Sequence, residues 1–205
     1  MAVKSSNVLL LTFQKRLIVL NKIREKQERL FHGKDIGLND IEEVYGATFI
    51  SAVASFESLI EELFFGLLLG KFSSQHCIAK ARMSVKNEKI AREIVFQEKP
   101  YINWLPYDNT EKISKRFLID GNPFCIIDAD DKKHISKCLL VRNAIAHQSR
   151  HSIVQFDDKV INGMTLTRRE RKPKGFLRAE FSHAPKETYW GRYMSDLLRV
   201  AGKFC

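Results

Sequence analysis

Residues 39 to 70 read NDIEEVYGATFISAVASFESLIEELFFGLLLG. Ile41, Val44, Tyr45, Phe49, Val53, Phe56, Ile60, Leu63, Phe64 and Leu67 recur there at three- and four-residue intervals, the spacing that gathers side chains on one face of an α-helix. Asn39 or Asp40 can cap free N–H groups at the start, and Glu42 and Glu43 fall in the first turn, where the helix dipole favours acids. Gly70 marks the end, after about eight turns. This stretch is predicted to be the central helix of the fold.

Working outward toward the N-terminus, Leu9, Phe13, Leu17, Leu20 and Ile23 sit among Lys, Arg, Glu and Gln, which predicts an amphipathic helix from Ser5 to about Leu30, ended by Gly33 and Gly37. On the other side, Ile78, Met83, Ile90 and Ile94 predict a helix over residues 77 to 97. Seven basic and three acidic residues between Lys71 and Lys99 give that helix a basic surface. Pro100, Pro106, Gly121 and Pro123 then punctuate a segment with one short helix, Thr110 to Phe117, capped by Thr110. Asp128, Asp130 and Asp131 introduce a clearer helix, Lys132 to Ser149, with the stripe Ile135, Cys138, Leu139, Arg142, Ile145 and Ala146. The acids need no magnesium to explain them, because a helix N-terminus favours them.

Beyond His151 the pattern changes to short alternating pieces, Ile153 to Phe156 and Phe176 to Phe181, on either side of a basic run. The chain closes with a helix from about Thr188 to Lys203, entered through Pro185 and carrying Tyr189, Tyr193, Leu197, Val200 and Ala201. The predicted fold class is all-α: one up-and-down helical bundle over residues 1–205, with residues 152–187 forming a basic loop or β-hairpin insertion before the C-terminal helix.

Composition agrees with a globular chain, 44% hydrophobic and 28% charged with 10 Gly and 5 Pro, and excludes fibrous and low-complexity classes. The apolar run Val8 to Leu11 is too short for a signal-peptide core, and Leu63 to Leu69 falls well short of the roughly 20 residues that cross a bilayer. No membrane association is expected. Cys77, Cys125, Cys138 and Cys205 form no C-x-x-C pair, so neither a zinc site nor a disulfide framework is indicated, and a reducing cytoplasm is the expected compartment. Neither metal nor cofactor is expected.

With 34 basic and 24 acidic residues the net charge is +10, which suits a polyanionic partner. Residues 151–205 carry 11 basic and 6 acidic side chains, so the last quarter of the chain holds half the excess. That excess concentrates in Arg168, Arg169, Arg171, Lys172, Lys174 and Arg178. A solvated loop is the ordinary reading of such a block; a clamp on an RNA backbone, sensitive to salt, is the functional one.

One residue of the Lys132 to Ser149 helix is out of place. Arg142 has Cys138, Leu139, Ile145 and Ala146 at i−4, i−3, i+3 and i+4, and an unpaired guanidinium on an apolar stripe is costly to bury. Glu57 shows the same anomaly among Val53, Ala54 and Ile60, and the simplest resolution is that Glu57 and Arg142 meet. Asn143 and His147, four apart, share a face, whereas Arg142 and His147 diverge by about 140°. Ala144 and Ala146 leave room for close approach. A histidine near its proton-transfer range, an arginine for phosphate and an amide for orientation are parts sufficient for phosphodiester cleavage without a metal. The alternative is a structural network around a satisfied core arginine. Arg150 and His151, continuing the same helix, would line the same cleft. Tyr189, Trp190 and Tyr193 could stack on bases, but aromatics at helical spacing favour packing.

The string Leu140-Val141-Arg142-Asn143-Ala144-Ile145-Ala146-His147 resembles the R-x4-6-H signature of HEPN domains, with the polar residue that follows the arginine in that family. Ala54-Ser55-Phe56-Glu57-Ser58-Leu59-Ile60-Glu61 is similar to the branch called RiboL-PSP-HEPN, where an acidic residue recurs on an earlier long helix. The resemblance spans roughly residues 5 to 150. A second R-x4-H copy, Arg178 to His183, lacks the Asn and the helical context, and is read as chance. What the resemblance implies is a homodimer whose two motif helices face one cleft and an endoribonuclease in which the 2′-hydroxyl of RNA attacks its own phosphate. His147 would transfer protons, Arg142 would hold phosphoryl oxygens, Asn143 would orient substrate or His147, and Glu57 would position Arg142. It also implies a toxin or anti-phage defence setting, with an antitoxin or another defence-system protein as partner. Two readings from other classes stay open: a non-catalytic module that binds RNA or nucleotide or scaffolds an assembly, and a plain helical interaction protein.

Overall fold

The computed structural model describes residues 3–74, 79–97 and 99–205. Among them are eight α-helices: α1 (Asn7–His32), α2 (Leu38–Leu68), α3 (Glu88–Phe96), α4 (Tyr107–Phe117), α5 (Ala129–His147), α6 (Arg150–Phe156), α7 (Pro173–Arg178) and α8 (Tyr189–Phe204). One π-helical stretch, Asp157–Ile161, follows α6 directly. Strands are short: β1 (Lys4–Ser5) pairs in parallel with β2 (Phe72–Ser73), and β3 (Glu180–His183) pairs antiparallel with β4 (Lys186–Thr188). The fold class is therefore all-α with a small hairpin before the last helix. No helix among the described residues is long and apolar enough to cross a membrane.

The chain falls into two compact units where the sequence reads as one domain. The first holds residues 1–14, 56–135 and 197–205, and the second holds residues 15–55 and 136–196. Both draw on α1, α2, α5 and α8.

In the first unit the buried ring of Phe64 collects Trp104 at 5.1 Å, Phe117 at 6.1 Å and Phe124 at 6.3 Å between centroids. Phe124 and Phe56 both pack on Phe204, at 5.6 and 6.1 Å. Tilted and edge-on pairs of this kind add attraction beyond the area they bury. Gly66 is required here, because a Cβ would stand 2.0 Å from the Phe72 ring. The Trp104 indole donates to Glu61 Oε2 at 2.9 Å, and Arg92 Nη1 donates to Glu61 Oε1 at 2.6 Å. The start of α5 is tied to the end of α8. Asp128 Oδ1 accepts the Asp131 N–H at 2.8 Å, Lys203 donates to both carboxylates, and Arg199 donates to the buried Asp131. The Asp131 backbone N–H and then Lys203 hold the Asp128 carboxyl down at about 2.

In the second unit Tyr45, Phe49, Phe156, Phe176, Trp190 and Tyr193 are buried with Val141 and Ile145. Phe49 meets Tyr193 edge-on at 5.6 Å, and Phe176 lies between Phe156 at 5.5 Å and Tyr189 at 4.2 Å. The Arg24 guanidinium sits over Trp190, 5.1 Å from its centroid. Packing is thus the role of Trp190 and Tyr193.

The start of α2 shows half a capping box: the Gly37 N–H donates to Asp40 Oδ2 at 2.8 Å. Several boundaries differ from the sequence reading. Of the described residues 79–97 only Glu88–Phe96 are helical, opened by Asn87, whose side chain accepts the Lys89 and Ile90 N–H groups. Met83 lies exposed outside that helix, and Cys77 and Ile78 lie outside the described residues. Helix α4 begins at Tyr107, and Thr110, rather than capping, is buried and donates to the Trp104 carbonyl at 2.6 Å. Ile23 of α1 is 43% exposed. Ile153 to Phe156 and Phe176 to Arg178 are helical rather than extended; four alternating residues satisfy either period, and Ser149 capping the Ser152 N–H starts a helix. Pro185 stands in the tight turn between β3 and β4, not at the entry to α8.

Candidate functional site

Helix α5 carries the motif, and its rotation differs from the sequence reading. Ile135, Cys138, Val141, Ala144 and Ile145 are buried, Leu139 and Arg142 are half-buried, and Ala146 is exposed. Arg142 therefore stands beside the apolar stripe rather than within it, and is half-buried. Its Nη1 donates to Asn143 Oδ1 at 2.9 Å. A one-residue neighbour supplies an acceptor for the arginine, a bond that helical spacing alone does not suggest, because adjacent residues point 100° apart.

His147 is the last residue of α5 and is exposed. Gln148 follows in the left-handed region at φ 48°, and its side chain reaches back to the Ile145 carbonyl at 3.5 Å. The helix stops there. The sequence reading has Arg150 and His151 continue this helix; instead they open α6 behind the Ser149 cap, both exposed. The motif end thus presents a half-buried arginine bonded to an amide, a small exposed Ala146 and an exposed imidazole.

A close packing contact sets where this end lies. A Cβ on Gly46 of α2 would meet Ile145 Cγ2 at 3.2 Å and Lys174 Cγ at 3.2 Å. Glycine at 46 lets α2 approach the motif helix, and Lys174 of the basic segment rests on the same spot.

The six cations of the basic segment separate into two groups. Arg169 forks onto Glu42, with Nε to Oε1 at 2.6 Å and Nη2 to Oε2 at 3.2 Å, and also reaches Asn39 Oδ1 at 2.6 Å. Lys174 pairs with Glu43. Arg178 pairs with Glu28 and lies over Phe31, 4.5 Å from its centroid. Arg168, Arg171 and Lys172 are exposed, and Arg171 donates to the Met164 carbonyl at 3.3 Å. Glu28, Glu42 and Glu43 are the partners that sequence reasoning missed. Their offset of more than 100 residues leaves no local signal, and Glu42 and Glu43 read as ordinary first-turn acids.

Burial pushes the Glu28 carboxyl up, yet the bonds from Arg178 and Tyr45 outweigh it and hold the group below its usual range. Burial and the bond to Glu28 raise the Tyr45 phenol to about 12 against the pull of Arg24. The second R-x4-H copy is spent elsewhere: Arg178 on Glu28, and the exposed His183 on Glu180, with Nδ1 and Oε1 2.6 Å apart.

Glu57 is half-buried on the part of α2 that belongs to the first unit, whereas Arg142, Asn143, His147, Arg150, His151 and the basic segment belong to the second. Cys125, Cys138 and Cys205 are free thiols, and burial pushes the Cys138 and Cys205 thiols up, Cys205 to about 12. Among the described residues no three His, Cys, Asp or Glu side chains gather in a way that could hold a metal ion. Compared with known proteins, the chain matches no protein-family model, no curated protein and no solved structure.

Proposed function

We propose that the chain is an endoribonuclease of the HEPN type, working as a homodimer with Arg142, Asn143 and His147 at a shared cleft. The observation that carries this reading is the Arg142–Asn143 bond at 2.9 Å with His147 exposed one turn further along. It supplies a fixed donor for phosphoryl oxygens and a proton-transfer group at one helix end. His147 takes the 2′-hydroxyl proton, O2′ attacks the adjacent phosphorus, and the P–O5′ bond breaks. His147 of the other copy returns a proton to O5′, leaving a 2′,3′-cyclic phosphate and a 5′-hydroxyl. Arg142 stabilises the charge that grows on the phosphoryl oxygens. Arg168, Arg171, Lys172, Arg150 and His151 hold the RNA backbone. The biological setting in this reading is a toxin or defence effector held in check by a partner protein in the cytoplasm.

A second reading, a module that binds RNA without cutting it, draws on the Arg142 guanidinium already being engaged and half-buried. One experiment decides. Purified wild type and His147→Ala are incubated with total RNA in EDTA, and the ends of the products are analysed. Cleavage by wild type alone, leaving cyclic phosphates, is the expected result; RNA binding without cleavage selects the second reading, and neither activity removes both.

A further inference from the structure

The first unit holds a cleft of about 420 Å³ between the end of α3 and one face of α4, within the size range of roughly 300–1,000 Å³ typical of small-molecule sites. Its floor is apolar, with Val95 and Phe117 buried and Ile113 half-buried. Asn109, Lys112, Ile113, Arg116 and Phe117 follow one another at helical spacing, so α4 turns a single face to the cleft. Lys99 joins Lys112 and Arg116 at the rim, and no acidic side chain lines the cleft among the described residues.

Two details point to an anion carrying a flat ring. Lys112 and Arg116 stand four apart on one helix, a spacing at which like charges repel, and an anion between them would remove that cost. The neighbour that fixes Arg116 is neutral: with its amide oriented to accept, Gln97 Oε1 receives both terminal nitrogens of Arg116, at 2.6 and 2.8 Å. Gln97 itself is held in the left-handed region at φ 48° where α3 ends. Tyr101 also lines the cleft and is 65% exposed, a ring kept in water where a stacking partner could cover it.

We propose that this cleft binds a nucleoside phosphate, with the base stacked on Tyr101 over the apolar floor and the phosphates held by Lys112, Arg116 and Lys99. The ligand is either a free nucleotide or the 5′-phosphorylated end of an RNA strand, which share this chemistry. The proposal is independent of the ribonuclease reading, since Arg142 and His147 belong to the second unit.

The test is a fluorescence-anisotropy titration of full-length protein with the labelled nucleotide mant-ADP. Wild type is expected to saturate below about 1 mM. Because the substituted side chains are exposed, the variants should fold normally, which circular dichroism verifies. Tyr101→Ala should weaken binding roughly tenfold, and Lys112→Gln with Arg116→Gln at least about tenfold, whereas Lys26→Gln on α1 should leave it unchanged. Stronger competition by a 5′-phosphorylated hexaribonucleotide than by unlabelled ADP identifies the RNA end as the ligand, and the reverse order identifies the free nucleotide. No saturable binding, equal loss in Lys26→Gln, or displacement by a Glu-rich peptide as effective as by ADP overturns the proposal.

Discussion

Arg178 grips Glu28 with two nitrogens of its fork, Nε to Oε1 at 3.0 Å and Nη2 to Oε2 at 3.1 Å, while the Tyr45 hydroxyl donates to the same Oε1 at 2.7 Å. This joins the basic segment to α1 and α2 through one carboxylate. Glu28→Gln removes the charge that Arg178 and Tyr45 both serve and should cost about 2 kcal/mol at pH 7. A carboxyl whose folded pKa lies below its unfolded value contributes stability above the ordinary carboxylate pKa and loses it as pH falls through the folded one. The gap between wild type and variant in urea melts should therefore narrow below about pH 4. An unchanged gap at pH 3 contradicts the prediction.

The two groups of cations should respond differently to neutralisation. Replacing the exposed Arg168, Arg171 and Lys172 by Gln should leave the melting temperature nearly unchanged and flatten the salt dependence of RNA binding, by about 0.7 in log–log slope for each phosphate of a single strand that is no longer neutralised. Replacing Arg169 or Arg178, which are committed to Glu42 and Glu28, should lower the melting temperature first. Filter binding across a range of salt, with a thermal melt of each variant, separates the two effects.

Asn143 is predicted to act through Arg142. Asn143→Leu removes the acceptor and should reduce RNA cleavage roughly tenfold through kcat. Asn143→Asp keeps an oxygen for the guanidinium and should recover most of the rate. Equal losses in both variants would assign Asn143 to the substrate instead.

Gly46→Val would drive its side chain into Ile145 and Lys174, both about 3.2 Å from the added Cβ. Overpacking of this kind costs about 1–3 kcal/mol. It should also displace the end of α5, so cleavage should fall further than stability alone explains, measured well below the variant's melting temperature.

Asp128 should remain ionised to about pH 2 because the Asp131 N–H and Lys203 favour its charged form. The stability it gives the start of α5 is present above the ordinary carboxylate pKa and is lost as pH falls through about 2. Lys203→Met should raise the titration midpoint seen by NMR. A midpoint that stays put would leave the backbone bond as its sole cause.

The long helix is legible in the sequence because its stripe recurs over 31 residues, enough turns for one period to win. The motif is legible as residues but not as geometry. Counting positions on α5 allows either Leu139, Arg142 and Ala146 or Val141, Ala144 and Ile145 to face inward, and only the neighbouring elements decide between them. Residues 153–156 are too few for their period to be read. The ion pairs of Arg169, Lys174 and Arg178 stay hidden because charge is visible in sequence whereas the partner of a charge, more than 100 residues away, is not.

The chain has 2 tryptophans, and they fall one to each unit: Trp104 in the first and Trp190 in the second, each 2% exposed. The protein therefore carries its own pair of optical reporters. With Trp190→Phe the emission follows the first unit alone, and with Trp104→Phe it follows the second. Whether the two halves of this chain melt as a single cooperative body or in succession can be read directly from whether the two emission curves coincide.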